Sequence, residues 1–116
     1  MVMEQSVVDK RKHVRLAMRC KYRLTIMGAA YSGFTGNISL GGAYLETLDK
    51  PMPPDALAQS GQIVIVRNDV EVVNSNSRVV YIGGVTVPYP EGVGVTFEAM
   101  DEAAVARLRE ALVEAI

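Results

Sequence analysis

The chain has 116 residues, 49% of them hydrophobic and 22% charged, which bounds it to one globular domain able to bury a core. A single cysteine, Cys20, and a single histidine, His13, exclude a disulfide framework, a zinc-ligand set and a histidine relay, and no apolar run approaches the ~20 residues that cross a bilayer. The net charge of −1 hides an asymmetry: Lys10, Arg11, Lys12, Arg15, Arg19, Lys21 and Arg23 put 7 of the 12 basic residues in one acid-free 14-residue window, a local excess that suits an anionic partner at the N-terminal end.

Residues 1–15 hold neither helical nor strand periodicity and are expected to form a flexible arm. No basic region followed by an apolar one marks a secretory leader, so a cytoplasmic location is the default. From Met18 to Met27 the alternation is strict. Met18, Cys20, Tyr22, Leu24 and Ile26 fall on one face and Arg19, Lys21, Arg23 and Thr25 on the other, as in a half-buried strand whose charged face is solvated. Gly28 ends that strand and Tyr31 to Phe34 begins the return. Residues 36–42 are rich in glycine and small polar side chains and read as a tight connection, with another short strand from Ala43 to Leu48. Pro51, Pro53 and Pro54 make 49–60 an irregular loop. Ile63 to Val66, a turn at Asn68-Asp69 and Val70 to Val73 form a hairpin; Asn74 to Ser77 is a bulge or second turn before strand character resumes from Arg78 to Ile82. Pro88 and Pro90 mark a loop, and Val93, Val95 and Phe97 a last strand.

The tail changes period. Asp101 suits a helix N-cap and Glu102 the positive end of the dipole, while Val105, Leu108, Leu112 and Ile116 recur at spacings of three and four as the stripe of an amphipathic helix packed over the barrel or across one end. The whole reads as all-β with a C-terminal helix: an antiparallel, Greek-key-like barrel over 16–100, an arm over 1–15, and a helix over 101–116 within the same domain.

Enzyme readings do poorly. Ser39 has no histidine near it in sequence, His13 lies in the arm, and no carboxylate pair sits in an apolar context. Cys20 alternates onto the apolar face, where a small buried thiol is the ordinary occupant. The glycines of 36–42 lack the lysine and Ser/Thr of a phosphate-binding loop. No catalysis, metal or cofactor is expected.

Two features remain: Arg11-Lys12-His13-Val14-Arg15, an Arg-x-x-x-Arg spacing, and Asn37-Ile38-Ser39-Leu40-Gly41-Gly42, which fits Asn-x-Ser-x-x-Gly. Taken singly, the arginines read as solvated charges and Asn37, Ser39 and Gly42 as turn residues. In this order, separated by one hairpin and followed by barrel strands, they resemble the PilZ domain family. The likeness runs from about Lys10 to the C-terminal helix and takes in Val79-Val80-Tyr81 and Gly92 to Phe97. It implies a small bacterial barrel that binds cyclic di-GMP, with Arg11 and Arg15 as the arginine pair and Asn37, Ser39 and Gly42 as the second motif. Members lacking these motifs do not bind the nucleotide, whereas this sequence retains both.

Chemistry agrees with that implication. An arginine fork meets guanine O6 and N7 together, or a phosphate bidentately. Asn37 can address a guanine edge, Ser39 can donate its hydroxyl, and Gly42, with Gly41, can admit close backbone approach. Lys10 and Lys12 add attraction for the dianion, and Tyr81 can stack on a base or pack as an ordinary strand tyrosine. The resulting expectation is a cyclic di-GMP receptor whose arm reorders on binding to signal to a downstream protein. The alternatives are a PilZ-like adaptor that binds no nucleotide and, last, an oligonucleotide-binding barrel. The latter fits poorly because aromatics are only 6% and Tyr22 lies opposite the basic face. Neither nucleic-acid binding nor membrane insertion is expected.

Overall fold

The computed structural model describes residues 15–83 and 92–116. Seven strands, β1 (Leu16–Ala17), β2 (Lys21–Ile26), β3 (Ala29–Ile38), β4 (Gly42–Leu45), β5 (Ser60–Arg67), β6 (Val70–Ile82) and β7 (Val93–Glu98), precede one helix, α1 (Glu102–Glu114). All pairings are antiparallel, and β3 pairs with both β2 and β4, closing a six-strand ring in the order β3-β2-β5-β6-β7-β4. β1 adds to β3 beyond the end of β2.

The alternation read from Met18 to Ile26 persists: all five apolar residues are buried and the basic residues face out. The strand itself is interrupted. Between β1 and β2 the backbone leaves the ladder, and the Thr35 hydroxyl replaces the missing rung by accepting from Cys20 N–H (2.9 Å) and donating to the Met18 carbonyl (2.7 Å). Thr35 is fully buried, so this bridge satisfies groups that would otherwise be costly to enclose.

Three connections differ from their sequence patterns. Residues 36–38 belong to β3, so the tight connection shrinks to 39–41; the glycines accommodate a register shift between Thr35 and Asn37 rather than ending the strand. The polar run 74–77 is strand interior, because its period of two survives: Ser75 and Ser77 point into the barrel and Asn74 and Asn76 into solvent. β4 stops at Leu45, short of Leu48, and the 49–60 loop contains a 3₁₀ turn, Pro54–Ala56. The Asn68-Asp69 turn has φ of 51° and 64°, the paired positive values of a type I′ hairpin.

β7 ends at Glu98 opposite Asn76, which leaves β6 from Val70 to Ser75 paired only with β5. The helix packs against β6 and buries Leu108, Ala111 and Leu112. Asp101 caps it by accepting from Ala104 N–H at 2.8 Å. The expected stripe stops at Leu112, since Ile116 lies beyond the helix end and is 89% exposed. Lys10, Arg11, Lys12, His13 and the rest of residues 1–14, together with Pro88 and Pro90, lie outside the described residues.

Candidate functional site

The second motif sits on the seam where β3 and β4 close the ring. The shift between Thr35 and Asn37 is a bulge at Gly36, and it decides where Asn37 points. Thr35 and Ile38 both face the core, so the extra residue turns Asn37 onto the outer face instead of inward. Asn37 then lies between Ala17 of β1 and Tyr44 of β4. Its Oδ1 is sealed from solvent and receives no hydrogen bond among the described residues. A buried acceptor left in this way costs about 1–3 kcal/mol.

Ser39 is buried and its hydroxyl works within the turn. Oγ accepts from Gly41 N–H (3.1 Å) and Gly42 N–H (3.2 Å), and the Ser39 N–H donates to the Gly42 carbonyl (2.8 Å). The Gly41 carbonyl in turn accepts from Phe97 N–H (2.8 Å) and from the Thr96 hydroxyl (3.1 Å), fastening the turn to β7. Gly42 pairs with Thr96, and a Cβ there would fall inside contact with the Val95 carbonyl oxygen. Its lack of a side chain is therefore required by β7, and positive φ is not the reason: among described glycines only Gly28, at 77°, has it.

Arg15 is exposed. Because Leu16 pairs with Ile38, Arg15 enters β1 at the level of Ser39. The fold thus brings Arg15, Asn37, Ser39, Gly41 and Gly42 to one end of the seam. Tyr81 is 53% exposed on β6 and lies on the same lateral row as Asn37, through Tyr44 and Gly94. Tyr44 escaped the sequence reading because the β3–β4 register that sets it beside Asn37 depends on the bulge at Gly36. Burial pushes its phenol above the ordinary range, helped by the nearby Tyr81 and Glu46.

The basic outer face leading into β2 is partly neutralised at its start. Arg19 lies over the Phe34 ring at 4.0 Å and reaches Glu46 at 3.5 Å. Cys20 is buried, and burial raises its thiol pKa, leaving it protonated and unreactive at neutral pH. Among the described residues no three His, Cys, Asp or Glu cluster as a metal site would need, and no helix is long and apolar enough to cross a membrane.

A six-stranded antiparallel barrel with one packed C-terminal helix and a polar rim at its closing seam defines a class of small β-barrel domain. The chain belongs to the PilZ domain family, whose model matches residues 9–114. Members are typically receptor or effector domains without catalytic activity. No curated protein matches the sequence. Among solved structures, the Bacillus subtilis inhibitor of motility MotI/DgrA is similar, with a TM-score of 0.74 at 12% identity, over 93% of this chain and 51% of that one. The PilZ domain of YcgR from Escherichia coli, with c-di-GMP, gives 0.73 at 13% identity over 91% of both chains. The K. pneumonia MrkH–c-di-GMP complex gives 0.70 at 16% identity over 93% of this chain and 53% of that one. The chain thus spans about half the length of MotI and MrkH, and these likenesses establish the fold.

Proposed function

We propose that this protein is a receptor for cyclic di-GMP, which it holds at the β3–β4 seam. Family membership and the nucleotide named with two of the similar structures support the ligand class. The observation that carries the reading is the buried Oδ1 of Asn37, which receives no hydrogen bond among the described residues, beside the level of Arg15. A guanine amino group, or an arginine drawn in with the ligand, supplies the missing donor and removes the cost of leaving it unmet.

In this reading Arg11 and Arg15 take the phosphates and a guanine Hoogsteen edge, since a planar fork pairs with either and lysine reproduces neither. Lys10 and Lys12 supply screened attraction. Asn37 reads a guanine edge, while Ser39, Gly41 and Gly42 act mainly by holding the turn that presents Asn37. Closure of the arginine segment over the nucleotide alters the surface beside β1, which a downstream protein then reads. Charge-assisted hydrogen bonds at about 1.5–3 kcal/mol each, set against ordering costs, give micromolar affinity, near −8 kcal/mol.

Isothermal titration with cyclic di-GMP, with GTP and cyclic GMP as controls, tests this directly. Asn37→Leu removes the orphaned acceptor while keeping the branched shape of the side chain. The expected result is a nucleotide-free protein at least as stable as the parent, with binding reduced at least tenfold. Undiminished binding by Asn37→Leu removes the supporting observation, and absence of heat for the parent favours an adaptor that binds no nucleotide.

A further inference from the structure

We infer that the outer wall formed by β2, β5 and β6 is an isologous interface on which a second copy of this chain docks. The inference stands apart from the nucleotide reading, because other strands separate β5 from the β3–β4 seam on both sides.

Ile63-Val64-Ile65-Val66 is an unbroken β-branched run, the pattern of a strand enclosed on both faces rather than one. Ile63 and Ile65 are fully buried in the core, so Val64 and Val66 point outward. Both are partly exposed. β5 has β2 and β6 beside it, and the helix packs against β6 instead of across these valines.

Strand pairing sets the outward residues in level rows. Lys21, Val66 and Glu71 form one, Arg23, Val64 and Asn74 the next, and Thr25, Gln62 and Asn76 a third. A bulge decides the last member of the first row. The β5–β6 register shifts between Ile65 and Val66, so Val72 is buried and Glu71 takes the place beside Val66. Among the described residues, Lys21 and Arg23 are exposed and reach no carboxylate, and Glu71 meets no cation. Glu71 Oε1 accepts instead from the Asn74 side-chain amide at 3.1 Å. The wall is thus cationic on β2, apolar on β5, and acidic or amide-bearing on β6.

Such a wall complements itself. A two-fold axis along β5 keeps each row at its level and exchanges its ends. Lys21 then faces Glu71 of the second copy, Arg23 faces its Asn74, and Val64 and Val66 meet their counterparts. A two-fold axis across the strands lays β2 over β2 and opposes cation to cation. Charge therefore selects both the occupant and its orientation. The sheets pack ~10 Å apart with their strands within about 30° of aligned. Three strands at ~4.8 Å and three rows at ~6.8 Å mark out on the order of 300 Å² per copy. A stable pair needs about 800 Å², so the dimer forms weakly, with a dissociation constant of roughly 0.1–1 mM.

Sedimentation equilibrium of the full chain, from about 10 µM to about 1 mM, tests this. The mass is expected to rise from 12.6 kDa toward twice that value. Lys21→Glu and Glu71→Lys each set like charges against one another at both symmetry-related contacts, and each should weaken self-association at least about tenfold. An equimolar mixture of the two variants restores opposite charges at both contacts and should associate within about threefold of the parent. Variants that self-associate like the parent, or a mixture no tighter than either alone, overturn the interface. A parent that stays at 12.6 kDa throughout also overturns it and leaves the wall to a different protein. Should a variant not fold, the amide shifts of the parent that move with concentration decide. Movement centred on 21–25, 62–66 and 71–76 is the expected result, and movement confined elsewhere overturns the assignment.

Discussion

Gly42→Ala separates two explanations of a motif glycine, closeness to a ligand and closeness to a strand. A Cβ at position 42 overlaps the Val95 carbonyl oxygen and comes within 3.2 Å of the Thr96 Cα. Ordinary carbon–oxygen contacts on neighbouring strands run to about 3.3–3.6 Å, so β4 and β7 must part by ~1 Å. That movement strains the bonds from Phe97 N–H and the Thr96 hydroxyl to the Gly41 carbonyl. Overpacking at about 1–3 kcal/mol, with hydrogen bonds weakened at about 1 kcal/mol each, gives a loss of about 2–4 kcal/mol. At roughly 4 °C per kcal/mol for a domain of this size, the midpoint falls by roughly 8–16 °C. The assay is a circular-dichroism melt without nucleotide. A variant that melts with the parent yet loses cyclic di-GMP binding refutes the reasoning and returns Gly42 to direct ligand contact.

Thr35→Val keeps the shape of the bridge between β1 and β2 but removes its oxygen. Cys20 N–H loses its acceptor and the Met18 carbonyl its donor inside the core, so a loss of about 2–4 kcal/mol is expected in the denaturant midpoint at unchanged m-value. Asp49 accepts from Ser32 N–H at 3.0 Å, and this hydrogen bond holds its carboxyl below the usual carboxylate range. A depressed folded-state pKa contributes stability above the unfolded value, near pH 4, and loses it as pH falls through the folded value. Asp49→Asn should therefore flatten the acid limb of a stability–pH curve, and a limb of unchanged slope shows that Asp49 carries none of it.

Local chemistry made much of the fold legible. The strict period of two in β2, the Asn-Asp turn after Arg67 and the Asp101 cap each declare themselves within a few residues, because burial, positive φ and an orphan N–H are short-range demands. What misled was polarity inside the barrel. Ser75 donates its hydroxyl to the Glu98 carbonyl at 2.9 Å, so an inward serine costs little and a run resembling a turn continues as strand. The motif residues could be identified from their order but not assigned their tasks. The hydroxyl of Ser39 and the bare Cα of Gly42 serve the turn and β7, partners set by pairings more than fifty residues apart in the case of Gly42 and Thr96. Tyr44 gave no signal, since its place beside Asn37 follows from the bulge at Gly36.

The two-residue β1 also acts as a mechanical fuse. A tug on the segment leading into Leu16 peels its rungs from β3 one after another, and β1 has only two such positions to yield. The tension next meets Thr35, which grips both flanks of the gap from within the core, and then β2, clamped along both edges by β3 and β5. A pull on Arg15 is thus absorbed at β1, and the barrel behind it keeps its shape.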